Sequence, residues 1–233
     1  MGHQTLQQKK KIFSKLYTRM QRMYPVKVTE LEYASPWQLL VAVILSAQCT
    51  DDRVNQVTRV LFAKYPESEE YLSVDRKELE QLIFSTGFYR AKARHILGAA
   101  HMLHHEFGGV LPDRISEMIR LPGVGRKTAN VVIQNIFNSN QGIAVDTHVL
   151  RFAKRFHLSS GTTAHVVEKD LMAIIPKRAW RDAGYYMKQY GRTYGPARGW
   201  NQETDPLWQY YQKIGGLGPS NGPSSRIPDI ARL

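Results

Sequence analysis

The sequence predicts an all-α fold, on three observations. Apolar residues recur at helical spacing over most of the 233 residues. Short turns rich in Gly, Pro and Ser separate these stretches. Only Val110–Leu111 and Ile143–Val145 have the pattern of extended chain. The hydrophobic fraction of 42% is ordinary for a globular protein, so a folded chain with a full core is expected.

The first two helices are predicted from apolar faces and start signals. Ile12, Leu16 and Met20 share one face of a basic helix that ends near Tyr24. The stretch Ser35–Leu45 opens with Ser-Pro, a helix-start pair. It continues with so few polar residues that we expect this helix to be buried on nearly all sides.

Nine more helices and a tail complete the prediction. The helices are expected at Asp52–Tyr65, Arg76–Phe84, Tyr89–Glu106, Arg114–Arg120, Arg126–Phe137, Asp146–Phe156, Ala164–Ile175, Trp180–Tyr190 and Asp205–Ile214. Residues 215–233 turn to Gly, Pro and Ser, with too few apolar groups to offset the entropy of ordering. They are therefore expected to form a flexible tail.

The charge balance narrows the class of partner. The chain has 32 basic and 20 acidic residues, a net charge of +12, which favours a polyanion such as nucleic acid. The N-terminus has no secretory signal, and no run of about 18 apolar residues suggests a membrane span. Cys49 is the one cysteine, so neither an intrachain disulfide nor a cysteine-based metal cluster is expected. We expect a cytoplasmic, nucleoid-associated protein with no membrane partner.

A glycine-rich hairpin precedes the helix predicted from Arg126. Gly123 and Gly125 permit a tight turn and let backbone N–H groups approach an anion at the positive end of that helix. Arg126 and Lys127 add positive charge, so the hairpin is a candidate phosphate-binding site. An ordinary helix-turn-helix corner is an equally good interpretation of the spacing. A nucleotide-binding P-loop is not, because Arg126 stands where that motif has glycine.

Two further groups of polar residues have ordinary structural interpretations. Asp146 follows an apolar triplet and precedes a helix, so taken alone it is best explained as an N-cap. His101, His104 and His105 recur at helical spacing, with His101 and His105 one turn apart. No pattern in the sequence supplies a further metal ligand beside that pair. We predict a solvated face there and no metal site.

These motifs together resemble a known family. LPGVGRKTANVV, followed nineteen residues after Lys127 by Asp146 in AVDTH, strongly resembles endonuclease III of the helix-hairpin-helix (HhH-GPD) superfamily of DNA glycosylases. The resemblance covers roughly residues 8–200. It includes three further segments, SPWQLLVAVILSAQCTD at 35–51, STGFYRAKA at 85–93 and YGRTYG at 190–195.

The resemblance implies a two-lobed fold with a DNA-binding cleft between the lobes. A six-helix barrel with the hairpin would span residues 30–138. Residues 1–29 and 139–214 would form a discontinuous second domain. The protein would act as a monomer on double-stranded DNA that contains damaged bases or abasic sites.

The resemblance also implies site residues. Lys127 would attack the sugar C1′, Asp146 would stabilise the charge that develops, and a Schiff base and β-elimination would follow. A lysine amine is protonated near neutral pH, so such a site must supply desolvation or a proton acceptor. Gln48 and Phe88 would occupy the gap left by the extruded nucleotide. His148 and Arg151 could contact the adjacent phosphate, although surface or capping roles explain them equally well.

One departure concerns the cofactor. Most relatives hold an iron-sulfur cluster with four C-terminal cysteines, and here Arg198, Trp200 and their neighbours follow YGRTYG with no cysteine. We therefore expect no iron-sulfur cluster and no other cofactor, except a possible monovalent cation on the hairpin carbonyls. Trp200, Trp208, Tyr210 and Tyr211 would fill the volume by aromatic packing, with Arg198 as a substitute DNA contact.

Alternative functions remain open at this stage. The expected substrate is an oxidised pyrimidine, and a uracil or mismatched-thymine glycosylase is the alternative. An adenine glycosylase is disfavoured because residues 41–45 of the core helix include no acid. A non-catalytic helix-hairpin-helix DNA-binding protein is the alternative of another class, and the presence of both Lys127 and Asp146 argues against it.

Overall fold

The computed structural model describes residues 4–25 and 29–218, and within them no β-strand occurs. The all-α prediction is confirmed. The described residues form eleven α-helices: α1 Leu6–Met23, α2 Pro36–Leu45, α3 Asp51–Lys64, α4 Arg76–Leu82, α5 Tyr89–Phe107, α6 Ile115–Met118, α7 Arg126–Ile136, α8 Thr147–Arg155, α9 Ala164–Ile174, α10 Trp180–Thr193 and α11 Pro206–Lys213.

Local signals explain where these helices begin. Thr5 caps α1 in a reciprocal capping box with Gln8. Ser35 accepts a hydrogen bond from the Gln38 backbone N–H at the start of α2, whose first residue is Pro36. α7 differs, because its N-cap is Gly125 and no side chain caps it. Its first N–H groups are therefore not covered by a capping side chain.

Two segments are shorter or less regular than predicted. The helix expected up to Phe84 ends at Leu82 and is followed by a 3-10 turn at Phe84–Thr86. The helix expected over Arg114–Arg120 is regular only in α6. After α6 the chain turns through hydrogen bonds from Arg120 N to Glu117 O and from Leu121 N to Met118 O, and it then reaches Gly123 at φ +79°.

The apolar residues form two clusters, one in each lobe. The first contains α2 to α7, with α2 buried on nearly all sides as its composition predicts. The second combines α1 with α8 to α11 and the segment that starts at Ile143. α1 thus packs on α9, α10 and α11, far along the chain. The exact domain boundaries remain predictions.

The start of the expected tail lies against Tyr211. Gly216 N donates to the Tyr211 carbonyl at 2.9 Å, and Leu217 N donates to its hydroxyl at 3.1 Å. The Gly218 carbonyl lies 3.0 Å from Nε2 of His157. The remainder of the tail, residues 219–233, lies outside the described residues. In the described ranges no helix is long and apolar enough to cross a membrane.

Candidate active site and DNA-binding surface

A cavity of about 300 Å³ opens between the two lobes. Its size is at the lower end of the range for small-molecule sites. The first lobe contributes the end of α2, the start of α3 and one face of α7, and the second contributes Asp146 and one face of α10. Three of the predicted site residues line it, namely Gln48, Lys127 and Asp146.

Lys127 and Asp146 enter this cavity from the first turns of two helices. Lys127 is the second residue of α7 and is exposed. Asp146 is the N-cap of α8, and its Oδ1 accepts from the backbone N–H groups of His148 at 2.8 Å and Val149 at 2.9 Å. Oδ1 makes both capping bonds, and no residue of the described chain forms a hydrogen bond with Oδ2. The capping and functional interpretations of Asp146 are therefore compatible.

The hairpin before α7 has the geometry expected of a phosphate-binding turn. A Cβ on Gly123 would lie 2.7 Å from the His95 side chain, and its φ of +79° also favours glycine. A Cβ on Gly125 would meet no atom within 4 Å. The space beside the uncapped start of α7 is thus open to an anion.

Arg126 is bound to the other lobe. Its Nε donates to the Glu168 carboxylate at 2.5 Å, and Glu168 is almost fully buried in α9. The same carboxylate accepts from Asn130 Nδ2 and from the backbone N–H of Ile143, both at 3.1 Å. Arg126 therefore has a structural ion pair, and its contact with DNA stays a prediction.

Gln48 and Phe88 have unusual backbone conformations. Gln48 follows α2 with φ +54°, and Phe88 precedes α5 with φ +48°, in the left-handed region that non-glycine residues rarely adopt. The side chain of Phe88 is 66% exposed. A large exposed apolar group on a strained turn fits insertion into DNA better than a core position. Phe88 does not line the cavity.

A buried lysine connects the two segments that carry these residues. Nζ of Lys92 donates to the carbonyls of Leu45 and Thr86, each at 2.8 Å. Leu45 ends α2 three residues before Gln48, and Thr86 lies two residues before Phe88. Burial lowers the pKa of Lys92. Lys92 could not be singled out from the sequence, because its motif, YRAKA, gives no sign that the side chain points inward.

His148 packs against Gly191 of α10, and Arg151 reaches the loop after that helix. Nδ1 of His148 lies 3.0 Å from Nη2 of Arg151, and Nε of Arg151 donates to the Gly195 carbonyl at 3.3 Å. Burial lowers the pKa of His148, against the opposing effect of the Asp146 carboxylate. Neither residue lines the cavity, and their predicted phosphate contacts remain predictions.

The region after α10 does not fit an iron-sulfur cluster, because it offers no thiolate. Its core is the buried carboxylate of Asp205, which accepts from Tyr190, from Trp200 Nε1 at 2.8 Å and from the Trp208 backbone N–H at 3.0 Å. The rings of Trp200 and Trp208 pack edge to face with centroids 5.2 Å apart.

Other cofactor predictions concern metal ions. The described part of the chain holds no group of three His, Cys, Asp or Glu side chains that could bind a metal. His104 instead lies 3.0 Å from the Ser68 hydroxyl, and His101 stacks on His105. The monovalent cation on the hairpin carbonyls stays a prediction.

Comparison with known protein families identifies the class. Residues 41–177, more than half of the chain, match the model of the HhH-GPD superfamily base excision DNA repair proteins. The chain therefore belongs to that superfamily. Its hairpin between α6 and α7 is the superfamily's helix-hairpin-helix.

Within the superfamily, the chain belongs to the endonuclease III family. It is 44% identical over 190 residues to endonuclease III of Synechocystis sp., covering 82% of this chain and 87% of that protein. Endonuclease III of Bacillus subtilis is 45% identical over 171 residues, covering 73% and 78%.

Solved structures agree with the assignment to the endonuclease III family. A trapped endonuclease III–DNA covalent intermediate superposes with a TM-score of 0.80 at 42% identity, covering 85% of this chain and 93% of that one. A thermostable thymine-DNA glycosylase, at 20% identity, covers 88% and 97% with a TM-score of 0.76 and shows a shared fold only.

Proposed function

We propose that Lys127 and Asp146 carry out the chemistry of this chain on a nucleotide extruded into the cavity between the lobes. By its family the chain is a base excision repair enzyme, a DNA N-glycosylase with AP lyase activity. The observation that supports these two residues most strongly is their meeting in one cavity. Neither the hairpin nor the α8 cap requires that meeting.

The chemistry needs an amine and a carboxylate in these positions. The Lys127 amine attacks C1′ of the sugar, and the base leaves with the electrons of the C1′–N bond. The free Oδ2 of Asp146 stabilises the positive charge that develops on the sugar. The resulting Schiff base on Lys127 allows β-elimination, which nicks the strand.

We further propose that the substrate is an oxidised pyrimidine in chromosomal DNA. The proposal rests on the family, and the net charge of +12 supports binding to the phosphate backbone. A panel of duplexes that contain thymine glycol, dihydrouracil, uracil, mismatched thymine, 8-oxoguanine or an abasic site would rank the substrates. Strong preference for uracil or mismatched thymine would favour the alternative glycosylase.

Borohydride trapping tests the catalytic residue. We expect the wild-type protein to form a covalent adduct with an abasic duplex and Lys127→Ala to form none. Lys169→Ala removes an exposed lysine of α9 outside the cavity and is the matched control. If Lys127→Ala formed the covalent adduct in the same yield as wild type, Lys127 could not be the attacking amine. Duplex binding without any trapping or cutting by wild type would indicate a non-catalytic DNA-binding protein.

A further inference from the structure

A second lysine, Lys188, lies in the same cavity as Lys127 and Asp146. It belongs to α10, whose opposite face packs into the second lobe through Ala183, Met187 and other buried residues. The cavity face of α10 presents Tyr185 and Lys188, three residues apart. Lys188 has no task in the chemistry proposed for Lys127 and Asp146.

The surroundings of Lys188 are those of an amine that can accept a proton. It makes no hydrogen bond or ion pair in the described ranges, although it is partly buried. Its burial lowers its pKa, and the positive charges of Arg192 and Lys127 act in the same direction. The carboxylates of Asp51 and Asp146 act in the opposite direction, each less strongly than burial and Arg192 but more strongly than Lys127. The neutral form of Lys188 is therefore more accessible than that of an ordinary lysine.

We propose that Lys188 is the proton acceptor that turns the Lys127 ammonium into a nucleophile. This inference rests on the proposed function of Lys127. On an abasic site, an N–H bond of Lys127 breaks and its proton moves to Nζ of Lys188. The freed electron pair of Lys127 forms the bond to the aldehyde carbon C1′ while the C=O π pair moves to the oxygen, which then takes a second proton from the Lys127 nitrogen to give the carbinolamine. Lys188 then returns the proton to the carbinolamine hydroxyl, which leaves as water as the imine forms.

The positions of the two carboxylates suit this transfer. Protonated Lys188 carries a positive charge in a partly buried site, and Asp51 and Asp146 are the negative groups that act on it there. Asp51 is held by Arg192, whose Nη2 donates to its Oδ2 at 3.2 Å. Asp146 lines the cavity together with both amines between which the proton moves.

The alternative is that Lys188 only supplies positive charge to a DNA phosphate or to the base. Substitutions separate the two roles. Lys188→Arg keeps the charge but cannot release a proton near neutral pH. Lys188→Met removes both the positive charge and the group that can accept a proton. Lys188→Cys in a Cys49→Ser background, alkylated with bromoethylamine, restores an amine at the original length. Lys169→Met is the control for loss of one charge.

The measurement is the single-turnover rate of borohydride trapping on an abasic duplex from pH 6 to pH 10. A proton acceptor contributes on the order of 100-fold. We expect Lys188→Met and Lys188→Arg to lose that factor at pH 7 and to regain rate at alkaline pH, where hydroxide removes the proton. The aminoethylated protein should regain the rate at pH 7. Affinity for a tetrahydrofuran-containing duplex should change less than the trapping rate.

Three results would overturn the inference. They are a wild-type rate and pH profile in Lys188→Met, full activity of Lys188→Arg, and failure of the aminoethylated protein to exceed Lys188→Met. Each leaves the proposed function of Lys127 intact as long as wild type is trapped and Lys127→Ala is not. A wild-type protein that cannot be trapped would remove both proposals.

Discussion

The structural task of Asp146 and its proposed chemical task fall on different oxygens of one carboxylate. Oδ1 caps α8, and Oδ2 has no partner in the described chain. Asparagine is as good an N-cap as aspartate, whereas alanine is not. The two tasks can therefore be separated by substitution.

We predict that Asp146→Asn keeps the free energy of unfolding within about 0.5 kcal/mol of wild type, because the cap acceptor remains. Asp146→Ala should cost about 1 kcal/mol more. Both should lose trapping activity, because both remove the charge. Urea unfolding together with trapping rates checks this. Full activity of the asparagine variant would rule out a charge-dependent role.

At the scale of elements, Lys92 sets the positions of two turns at once. Its amine holds the end of α2 and the 3-10 turn before α5. Gln48 and Phe88 follow these two points in strained conformations. The positions of Gln48 and Phe88 then depend on a lysine that is itself buried.

We predict that Lys92→Met lowers duplex activity by roughly 100-fold, the order expected for a displacement of about 1 Å. The two freed carbonyls should also cost about 2 kcal/mol of stability. Cleavage of an abasic site in single-stranded DNA should fall much less, because the nucleotide does not have to be extruded from a stacked duplex and leaves no gap to fill. Lys77→Met, on the exposed surface of α4, is the control. Equal losses on single-stranded and duplex DNA would show a general folding defect instead.

The helices were largely predictable from sequence, whereas the contacts between helices that are distant along the chain were not. Caps, Pro-initiated starts and apolar periodicity are local, so they placed the helices to within a few residues. The combination of Lys127 and Asp146 was found through a family motif. Lys188 and Glu168 were missed, because their roles arise from contacts between α10 or α9 and distant segments, and no local pattern encodes these contacts.

At the scale of the molecule, the second lobe is organised around Asp205. Its buried carboxylate accepts hydrogen bonds from α10, from the loop that contains Trp200 and from the start of α11. It thus joins three segments that follow one another in a region without cysteine.

We predict that Asp205→Ala destabilises the protein by at least about 3 kcal/mol, because it leaves several buried donors without acceptors. Asp113→Ala, at an exposed position before α6, should change stability by less than about 0.5 kcal/mol. Thermal unfolding followed by tryptophan fluorescence checks both. If Asp205→Ala lowered the free energy of unfolding by less than about 1 kcal/mol, the aromatic packing alone would be enough to stabilise this part of the second lobe.

The two lobes are also fixed to each other beside the cavity. Arg192 of α10 donates to Glu30 at 3.0 Å and to Asp51 at 3.2 Å, and Glu168 of α9 binds Arg126 and Asn130 of α7. With the lobes held this way, any change of shape needed to bring one duplex onto both the hairpin and the cavity has to come from the DNA. The elastic energy of the DNA then becomes part of recognition. A lesion that softens the helix would be favoured before any atom of the damaged base is contacted.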